Sequence, residues 1–311
     1  MTDEQFERLM RGFDEFAEPV GFVVACVAEG IERIGRLSES GAGGEVVRRR
    51  AGEHKGWDAE VFRVDQEVED MFRRRLAGLP EPGVLLSEEA GRVPIGDGRP
   101  AWYAIADPLD GSWLFKRGIP DFWYCSLALY DADLRPICSA VGDAIHHTIA
   151  FADAAAAHRV QIDGGCVVGP TTRLDAAHRR AMFRPDITDP SEAGIESYAM
   201  KPARFLLPLV DRFRPLIESF QFFLPNGGPY GFVDVAEGRI DVYFAPRQPY
   251  VDIFPGIAIA ERAGAVVTDF DGQPVVPSAE PETLWDVVAC TNPTLHARVL
   301  DLISRCSRKE V

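Results

Sequence analysis

The run Trp102-Tyr103-Ala104-Ile105-Ala106-Asp107-Pro108-Leu109-Asp110-Gly111-Ser112 constrains this chain more than any other stretch. Trp102 to Ala106 is apolar and uncharged, the composition of a core strand. Proline cannot continue a ladder, so the strand is expected to break at Asp107-Pro108. That puts Asp107 and Asp110 on a tight turn at the strand's C-terminal end. Two carboxylates about 4 Å apart repel by roughly 4 kcal/mol at an effective dielectric of 20. A bound cation turns that cost into attraction. Carboxylates, a backbone carbonyl and water suit Mg²⁺, Ca²⁺ or Mn²⁺. Gly111 lets backbone N–H groups approach an anion, and a helix opening at Gly111-Ser112-Trp113 would form a phosphate cradle. Ser112 adds a hydroxyl for a water or a phosphate oxygen. Asp-Pro and Asp-Gly are also ordinary turn dipeptides, so the motif alone leaves a plain turn open.

At 311 residues the chain has room for one large or two moderate domains. No apolar run reaches membrane-spanning length, and Met1-Thr2-Asp3-Glu4 is acidic rather than signal-like. Cys26, Cys125, Cys138, Cys166, Cys290 and Cys306 are widely spaced, with no Cys-x-x-Cys pair. Zinc is therefore disfavoured, and a reducing cytoplasm is expected. A net charge of −15 argues against binding nucleic acid or an anionic membrane through a general basic surface. An anionic small substrate stays open, because a metal reverses the local field.

Helical periodicity covers Gln5 to Phe16 and Val20 to Leu37. Val61 to Val64 reads as a short strand leading into Asp65. Gln66 to Leu76 reads as an amphipathic helix with Val68, Met71, Phe72 and Leu76 on one face. Gly83 to Leu86 is a strand ending at Ser87-Glu88-Glu89. Phe122 to Tyr130 and Ile137 to Val141 read as neighbouring strands, and Ile149 to Ala154 with Ala156 to Ile162 as a hairpin. Around residues 163 to 175 the texture turns to Gly, Thr and Pro. This divides the chain into an N-terminal sub-domain, 1–162, and a C-terminal one, 163–311. The second is expected to set helices Leu206 to Ser219, Gly231 to Glu237, Asp252 to Ala263 and Pro293 to Ser304 around strands Ile240 to Phe244, Val266 to Asp269 and Val287 to Cys290. The alternation predicts an α/β or mixed α+β architecture.

Glu88 ends an apolar strand as Asp107 does, and carboxylates at C-terminal strand ends are placed to converge. Asp252 and Asp65 serve equally well as helix caps, and Glu88 and Glu89 taken alone read as a solvated loop. Together, Val64-Asp65-Gln66, Ser87-Glu88-Glu89, Asp107-Pro108-Leu109-Asp110-Gly111-Ser112 and Val251-Asp252 stand in the order and approximate spacing of the inositol monophosphatase family. The chain resembles that family from about Lys55 onward. Ala236-Glu237-Gly238-Arg239-Ile240-Asp241-Val242-Tyr243 and Glu261-Arg262-Ala263-Gly264 extend the resemblance. It implies a layered α/β/α/β/α sandwich and Mg²⁺-dependent hydrolysis of the phosphate monoester of a small sugar, cyclitol or related polyol. It implies Glu88, Asp107 and the carbonyl of Leu109 as ligands of a first metal. Asp107, Asp110 and Asp252 would bind a second, and a weaker third ion would lie near Glu88. Mn²⁺ is a possible substitute. Asp65 and Ser112, where the family usually has threonine, would orient and deprotonate the attacking water. The backbone of Gly111 and Ser112 would hold the phosphate. A homodimer and inhibition by Li⁺ are further implications.

The chain also departs from the family. Inositol-selective members carry a glutamate seven residues before the late metal aspartate; here that residue is Ala245, and the tryptophan usual before that aspartate is Val251. The Gly-Thr-Ala-like segment bordering the substrate is Asn226-Gly227-Gly228-Pro229. Asn226, Gly227 and Gly228 are thus the candidate substrate rim. Arg247 is a candidate for a second phosphate or a carboxylate, set against the reading of a solvated loop arginine. A site without the hydroxyl-binding carboxylate loses discrimination for that hydroxyl, which disfavours myo-inositol phosphate as the main substrate. Ser112 followed by Gly118-Ile119-Pro120 resembles archaeal-type fructose-1,6-bisphosphatases. That activity and 3'-phosphonucleotide phosphatase are the alternative enzymes. A catalytically silent, metal-binding interaction protein is the alternative of another class. Arg173, Arg179, Arg180 and Arg184 read as a basic exposed helix face, and His146 and His147 are given no catalytic role.

Overall fold

The computed structural model describes residues 1–16, 19–49, 60–182, 186–280 and 283–307. Lys55 and Arg184 lie outside the described residues. The architecture is mixed α+β, as the alternation predicts. Two compact units divide the chain: Met1–Thr172 with Pro277–Glu282, and Arg173–Val276 with Thr283–Val311. Among the described residues no helix is long and apolar enough to cross a membrane.

The first unit runs α1 (Asp3–Arg11), α2 (Val20–Ser40), β1 (Val46–Arg49), β2 (Glu60–Phe62), α3 (Arg63–Leu76), β3 (Gly83–Ser87), β4 (Gly91–Ile95), β5 (Trp102–Asp110), α4 (Ser112–Lys116), β6 (Tyr124–Asp131), β7 (Pro136–Asp143), β8 (Thr148–Ala152), β9 (Ala157–Asp163) and β10 (Cys166–Leu174). β1 and β2 pair as a small antiparallel ribbon, and the other strands form an eight-stranded sheet in the order β10-β9-β8-β7-β6-β5-β3-β4. α2 packs across β6, β7 and β8, and α3 against β5. Ile31 and Ile34 of α2 and Met71 and Phe72 of α3 join Leu127 and Phe151 in one buried cluster.

Two expectations are corrected here, the end of β2 and the break in β5. β2 stops at Phe62, not Val64, because Asp65 at the third helical position accepts the Phe62 N–H at 2.9 Å and starts α3. The Gly/Thr/Pro stretch after 163 is largely a strand, β10. Its order places it at the sheet edge, where Pro170 removes no needed donor. β5 does not break at Asp107-Pro108 but runs on to Asp110. Asp107 pairs with Ser126 and Asp110 with Tyr124, so three steps on β5 oppose two on β6. This is a β-bulge, and Pro108 falls where the ladder is already interrupted.

The second unit contains α5 (Ala176–Met182), β11 (Gly194–Glu196), α6 (Leu207–Ile217), β12 (Phe222–Leu224), α7 (Pro229–Glu237), β13 (Val242–Pro249), α8 (Tyr250–Arg262), β14 (Val266–Asp269), β15 (Leu284–Cys290) and α9 (Pro293–Ser307). Its five strands lie in the order β12-β11-β13-β15-β14. Side chains alternate faces along β13. Val242 and Phe244 meet Phe213 and Leu216 of α6 and Leu295 and Val299 of α9. Tyr243 meets Phe232 of α7, with ring centroids 4.8 Å apart.

Arg179 corrects another expectation. It is buried, while Arg173 and Arg180 are exposed. Its Nη1 donates to the carbonyls of Ala263 at 2.7 Å and Ala236 at 3.4 Å, and its Nη2 to Thr291 at 3.2 Å. The carbonyls at the C-terminal ends of α7 and α8 lack helical partners and carry partial negative charge, which a guanidinium satisfies. His146 sits in the turn between β7 and β8, its Nδ1 2.7 Å from Asp143 Oδ2.

Candidate active site

In the first unit, α3 carries two buried carboxylates one turn apart, Asp65 and Glu69. Ser112 Oγ lies 2.7 Å from Asp65 Oδ1 and 2.7 Å from the carbonyl oxygen of Leu109. A hydroxyl has one proton, so it cannot donate to both. Burial, then the charges of Glu89 and Glu88, push the Asp65 carboxyl well above its ordinary range, against the Ser112 and Phe62 hydrogen bonds. The hydroxyl therefore serves one oxygen at a time, and its bond to Asp65 favours the charged carboxylate.

Strand pairing brings the next acids in. β3 and β5 run parallel, with Ser87 opposite Ala106, and the Glu88 N–H donates to the Ala106 carbonyl at 3.3 Å. Glu88 and Asp107 therefore follow side by side at the strands' C-terminal ends. Asp107 is 1% exposed, and its Oδ1 accepts the Leu109 N–H at 3.1 Å. Asp110 closes the bulge. Ser87 donates its hydroxyl to Glu69, and Arg48 Nη2 donates to the Glu89 carbonyl at 3.1 Å. Gly111 follows with φ +93°, and a Cβ there would stand 2.0 Å from the Phe122 carbonyl oxygen. Only glycine makes this turn.

The donors Glu88, Asp107, Leu109 and Asp110 are all oxygens, and the charges of Glu89 and Glu88 raise the proton affinity of neighbouring Asp65, which suits a hard cation. Among the described residues no three His, Cys, Asp or Glu side chains form a ready-made ligand group. Mg²⁺ does not require one, since it keeps several waters and takes one or two carboxylates with substrate phosphate oxygens. The residues present fit such an ion.

The remaining sequence-predicted residues belong to the second unit. Asp252 is the third residue of α8, whose N-cap is Pro249. It complements the positive end of the helix rather than capping it. Asn226 is 2% exposed, and its Nδ2 donates to Glu196 Oε1 at 2.9 Å. Gly227 and Gly228 are buried too, and Gly228 (φ +71°, ψ −160°) caps α7 in a glycine-only conformation. Arg247 is exposed in a bulge of β13, at φ +52°, its N–H donating to Asp286 Oδ1 at 2.8 Å. Ala245 is buried.

Glu69, Glu196 and Asp234 were not singled out by sequence. Glu69 had a signal, lying four residues after Asp65 and so on its helical face. Glu196 ends a three-residue strand too short to show periodicity.

Residues 24–308 match the inositol monophosphatase family. The chain is 28% identical over 247 residues to a fructose-1,6-bisphosphatase of Pyrococcus furiosus, covering 78% of this chain and 84% of the relative. It is 25% identical over 260 residues to a fructose-1,6-bisphosphatase/inositol-1-monophosphatase of Thermococcus kodakarensis, covering 81% and 88%. The solved structure of extragenic suppressor protein SuhB from Bartonella henselae matches with a TM-score of 0.67 at 18% identity, over 91% of this chain and 96% of that one. The chain belongs to the inositol monophosphatase family and is a phosphoric monoester hydrolase.

Proposed function

We propose that this chain is a Mg²⁺-dependent phosphatase that hydrolyses the phosphate monoester of a small sugar, cyclitol or related polyol by direct attack of water. The observation that carries the reading is the 2.7 Å approach of Ser112 Oγ to Asp65 Oδ1, beside the strand ends that bear Glu88 and Asp107. Glu88, Asp107, Asp110 and the Leu109 carbonyl would hold two Mg²⁺ ions, or Mn²⁺ in their place. Asp252 is assigned to the second ion by motif alone. Such ions lower the pKa of a water and offset charge on phosphoryl oxygens. Ser112 orients the attacking water, and Asp65 receives its proton through the Ser112 hydroxyl. The backbone N–H groups of Gly111 and Ser112 hold the phosphate.

A sugar bisphosphate is the second reading, because two relatives bear the name fructose-1,6-bisphosphatase. The deciding experiment is phosphate release from a panel of sugar, cyclitol and nucleotide phosphates, with Mg²⁺ and with a chelator. Turnover of a polyol monophosphate above all others is expected. Preference for a bisphosphate selects the second reading, and no turnover of any ester sinks both.

A further inference from the structure

Asn226 does not present its side chain to solvent. Its Nδ2 donates to Glu196 Oε1 at 2.9 Å, and both residues are at least 98% buried. Glu196 ends β11, which pairs in parallel with β12 and β13, so its backbone is fixed from both sides. Asp234 of α7 also reaches Glu196 through a side-chain hydrogen bond. Asp234 in turn meets Arg239 at 3.2 Å, and Arg239 meets Glu237 at 2.6 Å and the Tyr230 hydroxyl at 2.9 Å. Burying a carboxylate is costly unless every oxygen is engaged. At Glu196 Oε1 the Asn226 amide helps offset that cost, and Asn226 belongs to the turn that opens α7.

The turn itself has little freedom. A Cβ on Gly227 would stand 3.0 Å from both Tyr198 Cβ and the Tyr243 hydroxyl oxygen. Gly228 adopts backbone angles that other residues avoid. With the Asn226 side chain turned inward, the part of this turn left to meet a substrate is its backbone.

We propose that Glu196 is a positioning residue for the substrate rim. Through Asn226 it fixes the 226–228 turn, and Asp234 holds Glu196 in place. This rests on the reading of that turn as substrate rim. Burial pushes Asp234 up to about 7, so near neutrality it carries a proton that two facing acids can share.

The test uses three full-length variants: Glu196→Leu, Glu196→Gln and Asn226→Ala. Each is followed by amide hydrogen exchange at residues 226–228 without substrate, and by steady-state phosphate release on the best ester of the panel. In Glu196→Leu and Asn226→Ala, exchange at Gly227 and Gly228 rises at least about tenfold, the size of one lost buried hydrogen bond. KM rises about tenfold with kcat nearly unchanged, as expected for lost binding alone. Glu196→Gln keeps an accepting oxygen and restores both readouts. Unchanged exchange in folded Asn226→Ala overturns the clamp. Raised exchange with an unchanged KM overturns the inference differently, through the rim reading on which it rests.

Discussion

Ser112 Oγ stands 2.7 Å from Asp65 Oδ1, although 47 positions separate the two residues in sequence. A hydroxyl held by a buried carboxyl group forms a unit that works together or not at all. Ser112→Ala and Asp65→Asn are each expected to lower kcat by about 100-fold or more, the usual contribution of a positioned acid–base group. The double variant should be no slower than the worse single one. Phosphate release measures all three. Losses that multiply would show that the two residues act separately. Ser112→Thr keeps the hydroxyl and should keep most of the activity.

Glu89 and Glu88 oppose a charge on Asp65, so a cation should stabilise the protein as well as activate it. Mg²⁺ is expected to raise the melting temperature in proportion to the logarithm of its concentration. A chelator should remove both that shift and turnover. Asp107→Asn should do the same without a chelator. Full activity in excess chelator would contradict the cation reading.

Asp234 gives a pH dependence with a definite sign. Burial raises it from 3.8 to about 7, with Arg239 opposing and Glu237 assisting. Its folded form thus binds a proton more tightly than its unfolded form. The stability this contributes is complete below pH 3.8 and is lost as pH rises through about 7. Asp234→Asn, uncharged at every pH, should match the wild type in melting temperature near pH 5 and exceed it at pH 8. Melting curves at the two values decide this. A difference independent of pH would mean that Asp234 does not titrate in this range.

Arg179 joins three carbonyls that have no helical partners. Arg179→Met should cost about 3 kcal/mol in urea unfolding, because it leaves buried acceptors unpaired. Arg179→Lys should recover little, since a single ammonium cannot span three separated oxygens. A loss below about 0.5 kcal/mol, the ordinary range for surface changes, would show that water replaces the guanidinium.

Much of this was legible because the informative residues sit at ends of regular elements. The Trp102 to Ala106 run marked a strand, and the apolar spacing from Val68 to Leu76 marked a helix. Their boundaries were less legible, since α3 starts at Arg63, three residues before the Gln66 that hydrophobic periodicity indicates. Pro108 misled for a related reason: a proline forbids a regular ladder but suits a bulge. Arg179 looked like a surface charge, because nothing local reveals that two helix ends and a strand end meet around it. Asn226 was picked out as a rim residue, but its partner Glu196 lies 30 positions earlier, beyond any local pattern.

The bulge in β5 changes what the acid pair is. Directly opposed residues of paired strands share a face of the sheet. Ser126 and Tyr124, two apart, therefore share one, and so do their partners Asp107 and Asp110. An odd separation would put them on opposite faces of a regular strand, so the extra residue resets the pleat. The two carboxylates thus belong to a sheet rather than to a loop. An ion arriving there has no segment of chain to order, and less of its binding free energy is spent on immobilising the protein.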